Sequence, residues 1–141
     1  MALFPSDRPY QPFQQWAMRA EPVTPSPLGL LIHPEHGLWH AYRAALAFPD
    51  LVDDLPPRGE HPSPCATCVA RPCLSACPVG AFDGRGYDVA VCVGHLRSGR
   101  PPDCLAHGCH ARAACPVGLT ARYPHAQIRF HMAAFHRARS A

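Results

Sequence analysis

The sequence predicts a small α+β protein held together by something besides the packing of its core. Three observations carry that expectation. Eight cysteines fall within 141 residues, a density that marks a short chain stabilised by something besides its core. Apolar stripes at helical spacing stand on both sides of the cysteine region. The phrase ACPVG occurs twice, at 76–80 and at 114–118. Three segments follow: an N-terminal extension at 1–61, a cysteine-bearing domain at 62–120 and a C-terminal helix at 121–141.

Residues 1–27 are rich in proline and aromatics, and their register cannot be read. LGLLIH at 28–33 is a short apolar run and reads as a buried strand. PEHGLWHAYRAALAF follows. Pro34 and Glu35 suit a first helical turn, and Leu38, Tyr42, Ala45 and Leu46 share one stripe, so a helix is expected over about 34–48. Pro49 stops it, and 49–64 is an acidic, proline-rich connector. The insertion VGHLRSGRPPD at 93–103 reads as a loop, because its glycines and prolines fit a turn. A final helix opens at Pro124, with Ile128, Met132 and Phe135 as its apolar stripe and Arg137 and Arg139 at the negative end of its dipole.

Composition excludes several classes. An apolar content of 48% argues against wholesale disorder. A formal charge of +3, with arginine supplying every basic residue, is too slight and too dispersed for nucleic acid. The amino terminus has acids and prolines where a secretion signal needs an apolar run, and no stretch is apolar for long enough to span a bilayer. The expectation is therefore a cytoplasmic chain with reduced thiols, in which dense cysteine means metal or redox chemistry.

The run CATCVARPCLSACPVGA at 65–81 places four cysteines in thirteen residues, the last followed by proline. A cubane iron–sulfur cluster needs four thiolates around a compact inorganic core, and a short wrapping loop can supply three of them. Proline ends local hydrogen bonding after the fourth, and Gly80 and Ala81 let the backbone approach. The run resembles the motif of dicluster bacterial ferredoxins, in the variant with four residues between its second and third cysteines. That variant is found in electron-transfer subunits of molybdopterin oxidoreductases. The likeness covers roughly residues 62–120.

The resemblance implies a ferredoxin-like domain with two 4Fe-4S clusters, in which the cysteine before proline serves the other cluster. Cluster 1 then takes Cys65, Cys68, Cys73 and Cys115. Cluster 2 takes Cys77, Cys92, Cys104 and Cys109. All eight cysteines are used. The second run, Cys92-x11-Cys104-x4-Cys109-x5-Cys115, is stretched relative to the first. A softer likeness joins LGLLIHPEHGLWHAYRAALAFPDLVDDLPP and the following cysteines to the iron–sulfur part of epoxyqueuosine reductase, although about sixty upstream residues leave no room for that family's whole catalytic domain.

Rival readings stand beside these. Zinc is the main alternative for the thiols, since Cys65-x2-Cys68 resembles half a zinc knuckle. His36 and His40 lie i, i+4 on the expected helix and read as solvated or packing residues. His107 and His110 flank Cys109, either as replacement ligands or as hydrogen-bonding neighbours of the cluster. Trp39, Tyr42 and Phe48 read as core. Arg71, Arg97, Arg100 and Arg112 read as surface charges, or as a docking face for an acidic redox partner.

The function these residues imply is a small electron carrier or electron-transfer subunit rather than an enzyme. It would exchange single electrons with a partner protein, a reductase or dehydrogenase. The alternatives are a truncated epoxyqueuosine-reductase-like oxidoreductase needing a further cofactor or partner subunit, and a zinc-binding interaction module.

Overall fold

A computed structural model describes the chain except for residues 56, 58, 60 and 141. Its elements are β1 (Ala2–Leu3), α1 (Phe13–Ala20), β2 (Thr24–Pro25), β3 (Leu31–Ile32), β4 (Ala45–Leu46), α2 (Pro72–Ser75), α3 (Val89–Ser98), α4 (Cys104–His107), α5 (His110–Ala113), a 3-10 turn at Leu119–Ala121, and α6 (His125–Ser140). The strands form two antiparallel pairs, β1 with β4 and β2 with β3. The chain is thus mixed, with more helix than strand and very small sheets, as the α+β expectation requires in its coarse form.

The N-terminal segment departs most from expectation. The apolar run at 28–33 does contribute a strand, but only at Leu31–Ile32, with an isolated bridge from His33 to Gly37. The helix expected over 34–48 does not form. His33 Nδ1 accepts from the amides of Glu35 and His36 at 3.1 and 3.2 Å, and His33 and Gly37 exchange backbone hydrogen bonds. That tight turn competes with a helix for the same amides. Gly37 then leaves at φ +57°, outside the helical region. Leu38 and Trp39, adjacent in sequence, are both buried after this turn. Ala45 and Leu46 become strand β4, and Phe48 is 62% exposed rather than part of the core. Part of the connector at 49–64 lies outside the described residues.

The segment read as a loop at 93–103 is also corrected. Helix α3 continues to Ser98. Asp88 caps it by accepting from the Val91 amide at 3.0 Å, and Gly99 closes it at φ +60°. Val93 and Leu96 bury its inner face. Asp103 opens α4 in the same way, accepting from Leu105 and Ala106 at 2.9 and 3.0 Å. The C-terminal helix forms where its stripe places it and packs on α4 and α3.

One core ties the segments together. Leu28, Ile32 and Leu38 from the N-terminal part meet Ala111 and Cys115, with Cys65, Cys73, Leu74, Cys77, Phe82, Cys109 and Val117 packed around them. At its edge two turns interlock. A Cβ on Gly37 would stand 2.1 Å from the Val117 carbonyl oxygen, and one on Gly118 would stand 2.2 Å from the His36 carbonyl carbon. Both are backbone contacts, so neither neighbour can swing away.

Candidate metal centre

The repeated phrase has a structural counterpart. In each copy a one-turn helix, α2 or α5, ends on the alanine of ACPVG. The cysteine and proline turn the chain away, and the glycine takes a left-handed conformation, Gly80 at φ +61° and Gly118 at φ +73°. Helices α2 and α5 pack against each other. Cys77 and Cys115 therefore leave the two halves of a paired arrangement.

All eight thiols are free, and they fall into two neighbourhoods. Burial raises the Cys65 thiol pKa, and the charges of Cys115, Cys73 and Cys68 add to the rise. Cys73 is raised first by burial, then by Cys115 and Cys68. These are the four residues assigned to cluster 1. Burial likewise raises Cys104 to about 11, followed by the charges of Cys109, Cys92 and Cys77. Cys109 is raised by burial, then by Cys92 and Cys77. These are the four assigned to cluster 2. No thiol of one set appears among the charges acting on these members of the other.

Placement follows from local structure. Cys65 and Cys68 sit in the turns at 64–70, and Cys73 lies in the single turn of α2. Cys92 lies on the second turn of α3, Cys104 opens α4, and Cys109 is the residue before α5. Several of these sulfurs meet hydrogen-bond donors. The Ala81 amide donates to Cys77 Sγ at 3.3 Å. The amides of Arg112 and Ala111 face Cys109 without closing a cap hydrogen bond. The Ser63 hydroxyl turns to Cys65 and itself accepts from Thr24 Oγ1 at 2.8 Å. The Tyr87 hydroxyl turns to Cys92, and burial together with that sulfur pushes the tyrosine pKa up.

Ser63, Thr24 and Tyr87 were not singled out by the sequence. Tyr87 alone left a signal, since Phe82 and Tyr87 bracket a glycine-bearing turn. Their rings stack at 4.5 Å and 11°, joined by a backbone bridge.

Cys77, Cys92, Cys104 and Cys109 line one small cavity of about 20 Å³. His110 lines it too, and its Nε2 is buried without a hydrogen-bond partner. An orphaned donor is costly beside an empty apolar wall and is satisfied beside anionic sulfur. Among the described residues no three His, Cys, Asp or Glu side chains converge closely enough to hold a single metal ion. The side chains assigned as donors are all cysteine sulfurs.

The remaining candidates separate. His36 and His40 do not share a helix face; His36 stacks on His33 at 4.5 Å, and His40 Nδ1 lies 3.1 Å from the Gly37 oxygen. His107 is exposed and faces His125. Arg71, Arg97 and Arg100 are exposed, as surface charges should be. Arg112 is not a free surface charge: it is partly buried, stacked over Trp39 at 4.4 Å, with Nε donating to the Leu38 oxygen at 3.1 Å.

Comparison with known proteins finds no matching family model, no matching curated protein and no matching solved structure. Among the described residues no helix is long and apolar enough to cross a membrane.

Proposed function

We propose that the chain is an iron–sulfur electron-transfer protein with two 4Fe-4S clusters, held by Cys65, Cys68, Cys73 and Cys115 and by Cys77, Cys92, Cys104 and Cys109. One observation carries the reading: Cys65 and Cys73 lie near Cys68 and Cys115, and Cys104 and Cys109 lie near Cys77 and Cys92, the same interleaved fours that the ferredoxin resemblance implies. Disulfide pairing would break those fours into twos, and all eight thiols are free.

When bound, the clusters supply reversible one-electron chemistry. The protein's part is to hold and insulate them. Phe82 and Tyr87 cover the second set, and Leu28, Ile32 and Leu38 back the first. Amides and hydroxyls directed at Cys77, Cys109, Cys65 and Cys92 stabilise negative sulfur and thereby favour the reduced state. The turn at 66–70 is exposed around Cys68, with Val69 at 97%. A redox partner approaches there, because electron exchange needs one edge of the cofactor near the surface.

Anaerobic purification with iron, sulfide and zinc assays, and an EPR spectrum of the reduced chain, tests this directly. Eight irons and about as many sulfides per chain, with interacting spins, are the expected result. Zinc as the sole metal, or thiols joined to each other, would falsify it.

A further inference from the structure

A second site lies away from the cysteine cavity. Between the N-terminal segment and the face made by α5 and α6 is an open cleft of about 340 Å³, within the lower range for small-molecule sites. Leu31 and Leu38 supply apolar lining, and Tyr42 and Tyr123 supply aromatic surface. Arg112 and His131 supply its polar groups on the α5–α6 side.

Arg112 is held rather than mobile. Its guanidinium lies over Trp39 at 4.4 Å and over Tyr123 at 5.0 Å, and it donates to the Leu38 oxygen through Nε and Nη2. Among the described residues no carboxylate forms an ion pair with it. A positioned cation without a counter-ion, in partly dehydrated surroundings, is a ready partner for a carboxylate. The His131 ring also lines the cleft, with its Nε2 buried behind the surface. The opposite end has the other sign: Tyr42 donates to Glu21 Oε2 at 3.2 Å. An entering molecule therefore turns its negative end toward Arg112 and its neutral body toward the tyrosines.

We propose that this cleft binds a small aromatic carboxylate, its carboxylate on Arg112 and its ring between Tyr42, Tyr123 and the leucines. The apolar lining favours a ring over a bare phosphate, and the Arg112 guanidinium offers its charge to a carboxylate. None of the cleft side chains is a cysteine, so benzoate binding and metal content are measured separately on the same folded preparation.

The test is calorimetric titration of the intact, anaerobically purified chain with benzoate, benzamide and inorganic phosphate. Benzoate is expected to bind about tenfold or more tightly than benzamide, the order of a charge-assisted pair, and phosphate is expected to give no heat. Arg112→Gln should erase the preference for benzoate. Because Arg112 also braces Trp39, Ala41→Trp provides the independent check: Ala41 is exposed at the cleft rim, and an indole there should block binding while the circular dichroism stays unchanged. Equal binding of benzoate and benzamide, displacement of benzoate by phosphate, or undiminished binding by folded Ala41→Trp would each overturn the assignment.

Discussion

The first cysteine run gathers Cys65, Cys68, Cys73 and Cys77 within turns and one helical turn, whereas the second spreads Cys92, Cys104, Cys109 and Cys115 over α3, α4 and α5. The short run is shaped by backbone turning and by proline. Arg71 before α2 even sits in the left-handed region at φ +40°, with no side-chain cap on the helix. The long run takes its rigidity from secondary structure. Asp88 and Asp103 cap its helices, and α6 braces them. The eleven residues between Cys92 and Cys104 are mostly helix and capped turn, so a wide spacing in sequence is a fixed spacing in space.

Substituting one ligand from each run tests whether the two sets are independent in metal yet shared in fold. Cys73→Ser and Cys104→Ser should each lose about half the iron, along with much of the cooperative unfolding, since bound metal is part of folding free energy. Iron analysis and circular dichroism check this, and full iron in either folded variant contradicts the assignment. Gly118→Ala should come next. Its Cβ would strike the His36 backbone at 2.2 Å, at φ +73°, so a loss of ~3 kcal/mol or more is expected in urea unfolding. Asp103→Ala should cost about 1 kcal/mol by uncapping α4, visible as a lower unfolding midpoint. The smallest effect should be a gain. Arg71→Gly relieves a left-handed residue and should stabilise by about 0.5 kcal/mol, so a lowered midpoint would show that the Arg71 side chain matters more than its backbone.

The same contrast explains what the sequence could disclose. The compact run and the Cys-Pro repeat are local patterns, so the proposal of two groups of four can be made from the sequence itself. The C-terminal helix was equally legible, because Ile128, Met132 and Phe135 recur at helical spacing. Helix α3 carried the same kind of signal, with Asp88 before it, Val89, Val93 and Leu96 along one face and Gly99 after it, but glycine and proline farther on drew the reading toward a loop. The expected helix at 34–48 failed for a different reason. Its stripe was real in spacing, yet the His33 imidazole captured the amides that would have started it. Contacts such as Thr24 to Ser63, 39 residues apart, leave no local trace at all.

The interlocked glycines at 37 and 118 bear on how the molecule can be divided. The piece whose spacing looks self-sufficient, from residue 62 onward, lacks the turn that seats its last Cys-Pro and the leucines that back its first loop. Excised, it would have to rebuild a missing wall. Residues 1–61 are thus a component of the cysteine-bearing core rather than an appendage to it, and complementation by a separate 1–61 peptide should restore what truncation removes.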